Sequence, residues 1–286
     1  MHGRKKKTPE EAVVTEAERT KTEAAFTSLG RLLEMRKSKV QSQEAFDLTT
    51  ALLMMNPELS TAWNYRRDLI VSLFEGEARV NFLTKELKLM EKVLHQTLKS
   101  YAVWAHRKWV LKTLVAISDQ TWLREELVLC RKLFDYDARN FHCWNHRLWV
   151  VGQLDDRNFL DLEISKDLIM KDPGNYSAWH VRSTALSETS DSEMEMTRQA
   201  VYTEPSDQSV WQYRRWLQEQ SPECSTPEDK QAIDELLELE PDAKYALLEI
   251  SRRPDTSRER KLEIYSQLMH IDPMRAGYYR RLQLSA

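Results

Sequence analysis

The chain has 286 residues, with 42 basic and 45 acidic side chains and a formal net charge of −3. This balance excludes the broad excess of Lys and Arg on which nucleic-acid capture depends. Only six glycines and nine prolines occur among many helix-favouring residues, so the composition favours α-helix over sheet or disorder.

Cysteine content and hydropathy indicate the cellular compartment. Cys130, Cys143 and Cys224 are too few and too scattered for a disulfide framework, and no C-x-x-C pair suggests a structural metal site. No apolar run approaches the roughly 20 residues of a membrane-spanning helix, and the basic N-terminus lacks the apolar core of a signal peptide. We therefore expect a soluble, cytoplasmic protein without a membrane span.

Amphipathic stretches recur along the chain, with apolar residues at three- and four-residue steps. Proline closes three of them, at Asn56-Pro57, Asp172-Pro173 and Glu204-Pro205, because it disfavours helix in the residue before it. A Ser or Asn a few residues later can cap the next helix. The predicted first helices of the repeats span residues 44–57, 83–98, 123–138, 160–173 and 192–205.

A Trp-x-x-Arg motif follows each of these stretches. The five motifs are separated by 41, 40, 35 and 32 residues, the length of a helix pair with its turns. We therefore predict that each repeat is a helical hairpin. The motifs begin at Trp63, Trp104, Trp144, Trp179 and Trp211.

The pattern continues in weaker form after residue 230, where Leu247 and Tyr279 fall six residues after a proline, as Trp63 does. Degenerate terminal repeats are expected where a solenoid must face water. We predict an all-α protein, an α-α solenoid of about seven helical hairpins, forming one domain over residues 1–286.

The arginines of the motifs recur in every repeat, which indicates a role in stacking instead of a place in one active site. We expect each Trp to fill the layer between hairpins and each Arg to bond the turn of the next repeat. These arginines are Arg66, Arg107, Arg147, Arg182 and Arg214.

The segments KSYAVWAHR, RNFHCWNHR, NYSAWHVR and PSDQSVWQYRRW resemble successive repeats of protein prenyltransferase α subunits, and the resemblance covers nearly the whole chain. The start Met1-His2-Gly3, the words FHCW and DQSVW, and the ending DPMRAGYYRRL are similar to the Rab-specific branch of that family. The resemblance implies a right-handed superhelical crescent that wraps a β subunit in an obligate heterodimer. Animal members of this branch add immunoglobulin-like and leucine-rich domains, and neither is expected in this chain.

The same resemblance implies an activity. Members of this branch transfer geranylgeranyl from geranylgeranyl diphosphate to C-terminal cysteines of Rab GTPases, which a Rab escort protein presents. Zinc and most of the isoprenoid pocket belong to the β subunit.

Four residues match family positions near the substrate. Lys99 in KSY matches the lysine that the α subunit extends toward the diphosphate, and its ammonium suits the charge that grows on the leaving group. Tyr101, Asn140 and His142 lie at corresponding loop-to-helix corners, and the resemblance implies that they line the substrate entrance.

Two predictions concern histidines and metal ions. His142 and His146 are four residues apart, as in H-E-x-x-H zinc sites, but HCWNH lacks the glutamate base and a third ligand, so packing or hydrogen bonding is expected. His2 resembles an N-terminal arm that reaches the β-subunit zinc in an autoinhibitory contact. No metal site is expected in this chain.

Two alternatives remain open. The chain could be the α subunit shared by farnesyltransferase and type I geranylgeranyltransferase, against which the Met-His-Gly start and DQSVW argue. It could also be a helical-repeat scaffold that binds proteins without catalysis. The irregular repeat length and the Trp-x-x-Arg motif do not match a regular 34-residue tetratricopeptide repeat.

Overall fold

A computed structural model describes residues 16–187 and 191–286 of the chain. These residues form fifteen α-helices and the short 3-10 helices Pro222–Cys224 and Pro273–Arg275, with no β-strand, which confirms the all-α prediction. None of the described helices is both long and apolar enough to cross a bilayer. The α-helices are α1 (Glu16–Lys37), α2 (Gln43–Met55), α3 (Ser60–Leu73), α4 (Gly76–Gln96), α5 (Tyr101–Ile117), α6 (Thr121–Phe134), α7 (Phe141–Val151), α8 (Arg157–Lys171), α9 (Tyr176–Ala185), α10 (Asp191–Thr203), α11 (Gln208–Gln220), α12 (Pro227–Leu239), α13 (Lys244–Arg252), α14 (Arg258–Ile271) and α15 (Ala276–Ser285).

Helical hairpins build the first of two compact units, which comprises described residues 16–136 and 140–150. Here α1 packs on α2, α2 on α3 and α4 on α5. Helix α6 meets α7 where the rings of Phe134 and Trp144 lie 4.4 Å apart between centroids. Neighbouring hairpins then contact each other through α3 with α5 and α5 with α6.

The second unit comprises residues 137–139, 151–187 and 191–286, and it repeats the arrangement. Its hairpins are α8/α9, α10/α11, α12/α13 and α14/α15, and neighbouring hairpins meet through α9 with α11, α10 with α12 and α13 with α14. The α-α solenoid is therefore confirmed. The single domain over residues 1–286 and the right-handed crescent stay predictions.

Helix ends follow the predicted proline signals. Helix α2 ends at Met55, where the backbone N–H of Asn56 bonds the carbonyl of Leu52, and α8 ends in the same way before Pro173. Because proline cannot continue the helical hydrogen bonds, the chain turns at these points.

The predicted caps are confirmed at some corners and wrong at others. The side chains of Ser100 and Asn175 accept the backbone N–H three residues on, at the starts of α5 and α9. At α11 an aspartate, Asp207, takes this place, and at α3 Leu59 offers no capping side chain. Asp carries the same acceptor geometry as Asn, so the α11 corner keeps its cap with a different residue.

The motif tryptophans fill the layers between hairpins, as predicted. The indole of Trp63 lies 4.3 Å from the ring of His106 in the next hairpin, and Trp179 lies 4.7 Å from Tyr213, between centroids. The indole N–H also binds the corner of its own repeat, because Trp63 Nε1 donates to the carbonyl of Pro57 at 2.8 Å. Equivalent bonds to the carbonyl six residues upstream are made by Trp104, Trp179 and Trp211.

The motif arginines act in stacking, but the predicted partner was wrong. Arg66 donates through Nε and Nη2 to both oxygens of Glu86, at 2.6 and 2.9 Å, and Glu86 lies within α4 instead of in a turn. Arg182 pairs likewise with Glu193 inside α10. A guanidinium buried between hairpins needs a carboxylate there, because a buried charge without a partner is costly.

Candidate functional site

The predicted site residues of the first unit lie where α5 and α7 begin. Ser100 caps α5, its hydroxyl accepting the backbone N–H of Val103 at 3.3 Å. Asn140 caps α7, its Oδ1 accepting the N–H of Cys143 at 2.9 Å. Because a capped corner fixes the backbone that precedes each helix, residues beside the caps have defined positions.

Asn140 is a buried connection between the two corners. Its side chain is 2% exposed, and its Nδ2 donates to the carbonyl of Leu98 at 3.4 Å. The indole of Trp104 donates to the same carbonyl at 2.9 Å. Two donors from different repeats thus hold the peptide unit directly before Lys99. The place of Asn140 in a substrate entrance stays a prediction, while its observed role is to position the corner.

Tyr101 and His142 come together across the corner. Tyr101 is 70% exposed, and its ring lies edge-on to His142 with 4.2 Å between centroids. Phe141, which is 65% exposed, lies 5.6 Å from the same imidazole. Exposed aromatic rings in contact provide an apolar surface suited to a hydrocarbon or a partner protein.

Lys99 is exposed beside this aromatic cluster. Partial burial lowers the pKa of His142, the charge of Glu58 opposes that shift, and the charge of Lys99 adds to it. The imidazole is therefore neutral at pH 7, and the corner combines one ammonium with uncharged rings.

The two histidines of HCWNH do not converge on one point. His146 is buried, and its Nε2 lies 2.7 Å from Glu126 Oε1, whereas His142 packs against Tyr101. The expectation of packing and hydrogen bonding is thus confirmed for this pair. Across residues 16–187 and 191–286 no group of three His, Cys, Asp or Glu side chains is placed to hold a metal ion. His2 lies outside the described residues.

Sequence reasoning missed two features of this region. Phe141 was not singled out, although it occupies the same position before its tryptophan as Tyr101 does. Glu86 and Glu126 were also missed, although each lies 19 or 20 residues after a motif arginine and on the apolar face of its helix. The available signal was a glutamate at a position of the helix where the repeat pattern otherwise predicts a buried apolar residue.

Comparison with known proteins places these repeats in a family. The protein prenyltransferase alpha subunit repeat matches residues 42–73, 83–114, 123–154, 160–189 and 190–221, which together exceed half of the chain. The chain shares 20% identity and a TM-score of 0.76 with a chain of Candida albicans protein geranylgeranyltransferase-I complexed with GGPP, over 91% of this chain and 90% of that one. At this identity the likeness shows the fold alone.

Curated relatives include geranylgeranyl transferase type-2 α subunits. The Saccharomyces cerevisiae protein is 43% identical over 91 residues, which are 32% of this chain and 28% of that protein. The Sus scrofa protein is 34% identical over 214 residues, or 66% of this chain and 34% of that protein. The chain therefore matches about a third or less of the length of these relatives. On the strength of its five repeats, the chain belongs to the protein prenyltransferase α-subunit repeat family.

Proposed function

We propose that this chain is the α subunit of a heterodimeric Rab geranylgeranyltransferase that is active only with a β subunit. The observation that carries the proposal is the cluster of Lys99, Tyr101 and His142, exposed or half-buried, where α5 and α7 begin. The names of the yeast and pig relatives support the type 2 branch of the family.

In the proposed reaction, the sulfur of a cysteine near the Rab C-terminus bonds to C1 of the geranylgeranyl group. The bond from C1 to the diphosphate oxygen breaks, diphosphate leaves with the bonding electrons, and the thiol proton is released. Lys99 places an ammonium, with three N–H donors, where negative charge grows on the leaving group. This interaction strengthens toward the transition state, which is the condition for faster chemistry.

The other residues of the corner support Lys99 in this proposal. Asn140 holds the Leu98 carbonyl and so fixes the backbone that carries Lys99. Tyr101 and the neutral His142 form a wall beside it that adds no second positive charge. A partner surface that covers these exposed rings would exclude water on one side, which would strengthen the electrostatic effect of the ammonium.

The partners complete the proposal. The Rab GTPase is presented by a Rab escort protein, geranylgeranyl diphosphate is the donor, and the reaction takes place in the cytoplasm. We assign the zinc of the reaction to the β subunit, as the resemblance to this family implies. The autoinhibitory contact of His2 with that zinc stays a prediction.

Reconstitution tests this function. The tagged chain is co-expressed with either a Rab-type or a farnesyl-type β subunit, and stoichiometry is measured by light scattering after purification. Transfer of radiolabelled geranylgeranyl to a Rab is then followed with and without escort protein.

The proposal predicts a one-to-one complex with the Rab-type β subunit and transfer that requires escort protein. A stable complex only with the farnesyl-type β subunit would identify the chain as the α subunit shared by farnesyltransferase and type I geranylgeranyltransferase. Failure to bind either β subunit would favour a protein-binding scaffold.

A further inference from the structure

A second site lies wholly within the second compact unit. Helices α11 and α13, the starts of α12 and α15 and the loop before α12 line a cleft of about 700 Å³. This volume falls within the range of ligand-binding clefts in proteins. The proposed prenyl transfer does not use it.

The cleft is basic in a chain whose net charge is −3. Five of its lining residues are Arg or Lys and a single one is acidic, Glu249. The Glu249 carboxylate already has partners in the protein. Buried Arg214 donates to it through Nε at 3.1 Å, and the Gln218 amide donates to it at 3.3 Å. The lining cations are Arg215, Lys230, Arg252, Arg253 and Arg275.

Four of these cations reach carboxylates outside the cleft. Lys230 pairs with Asp255 at 2.8 Å and Arg215 pairs with Glu219 at 2.7 Å, and all four of these side chains are more than a third exposed. Exposed ion pairs contribute little and exchange readily for another carboxylate. Arg252 is exposed and makes no hydrogen bond or ion pair to any side chain that the structure describes.

Aromatic rings and amides accompany the cations. Trp211 is fixed by its bond to the Pro205 carbonyl, and Tyr245 lies beside it with 6.5 Å between ring centroids. Tyr278 on α15 is 39% exposed. Gln208 and Gln212 add amide donors and acceptors along α11. Rings and side-chain amides are groups that bind the side chains and backbone of an extended peptide.

We propose that this cleft binds an extended acidic peptide segment of a partner protein. Four of the cations pair with four different carboxylates, so positive charge is spread along the rim instead of converging on one anion. Positive charge spread in this way is complementary to successive Asp and Glu side chains of a peptide. The exposed guanidinium of Arg252 can bind one of these carboxylates through two parallel hydrogen bonds.

Selection from a random dodecapeptide phage library, with the full chain immobilised, tests this proposal. We expect enrichment of sequences rich in Asp and Glu with at least one aromatic residue. A fluorescein-labelled copy of the most enriched peptide is then titrated by fluorescence anisotropy. No enrichment of acidic sequences overturns the proposal, whether or not the chain binds a β subunit.

Charge reversal locates the binding. Arg252→Glu should weaken binding of the labelled peptide at least tenfold and Tyr278→Ala at least threefold. The matched control Arg258→Glu, at an exposed residue of α14 outside the cleft, should stay within twofold. Both cleft residues are exposed, so folding should be retained, as checked by circular dichroism. Unchanged binding by Arg252→Glu, or displacement by equimolar pyrophosphate, overturns the peptide site.

Discussion

Arg107 and Glu126 join two neighbouring hairpins through two parallel hydrogen bonds, from Nε at 2.6 Å and from Nη2 at 2.7 Å. His146 Nε2 lies 2.7 Å from the same carboxylate. All three side chains are buried. The arrangement of Arg66, Glu86 and His106 is the same one repeat earlier. These buried networks connect each repeat of the first unit to the next.

Removing the carboxylate should therefore destabilise the first unit strongly. Glu126→Ala leaves the guanidinium of Arg107 buried without its partner, which costs about 3–5 kcal/mol. The free energy of urea unfolding, followed by circular dichroism, measures the loss. The matched control is Glu125→Ala, since Glu125 is exposed on the same helix. A loss within 1 kcal/mol of the control, about one exposed ion pair, would contradict the network.

Acid should destabilise the same networks in two stages. Burial lowers the pKa of His106, and Arg67 donates to its Nδ1, so the neutral ring keeps its proton on Nε2 toward Glu86. The unfolded chain takes up this proton near pH 6.5 and the folded chain only at lower pH, so stability begins to fall below pH 6.5.

The second stage involves the carboxylates. Burial alone would raise the pKa of Glu86, but hydrogen bonds from His106 and Arg66 lower it to about 2, and Arg107 and His146 lower the pKa of Glu126 to about 2. Stability from these groups is complete above the unfolded pKa of about 4.3 and is lost as the pH falls toward 2. Unfolding free energies measured from pH 8 to pH 2 should show both stages. His106→Gln should remove much of the first stage and leave the second.

The motif tryptophans should contribute to stability through both their indole hydrogen bond and their buried ring. Trp179→Phe keeps an aromatic ring but leaves the Pro173 carbonyl without the indole donor that lies 2.7 Å away. Losing this bond at the half-buried Pro173 carbonyl costs about 0.5–1.5 kcal/mol, and the smaller ring adds a packing loss because Trp179 is buried. Trp122 donates to the exposed hydroxyl of Ser118, so Trp122→Phe is the matched control, with an expected cost of under about 0.5 kcal/mol. Equal losses in thermal unfolding would mean that neither the indole bond nor the buried packing of Trp179 contributes.

The proposed function makes Lys99 sensitive to substitution. In the reconstituted heterodimer, Lys99→Ala should lower kcat about 10- to 100-fold, because a donor to the developing charge is lost, and Lys99→Arg should recover part of the rate. Lys92→Ala, at an exposed residue of α4, should leave the rate unchanged. Single-turnover assays with labelled geranylgeranyl diphosphate separate this loss from weaker binding. Equal rates for Lys99→Ala and Lys92→Ala would show that Lys99 does not take part in the transfer step.

The sequence by itself determined the helical repeats. The three- and four-residue apolar steps, the prolines after residues 56 and 172 and the recurring Trp-x-x-Arg motif are local signals, so they predicted the hairpins before any contact was known. The positions of Lys99 and Asn140 at helix starts follow from the same signals.

Only the tertiary structure decided which side chains meet. The contact of Tyr101 with His142, the bond from Asn140 to the Leu98 carbonyl and the pairing of Arg107 with Glu126 join residues 19 to 42 positions apart. Such distances along the chain are spanned by the stacking of one hairpin on the next, which depends on packing between helices and leaves no short-range pattern in the sequence. The basic cleft of the second unit arises in the same way, because α11, α13 and α15 come together only when their hairpins stack.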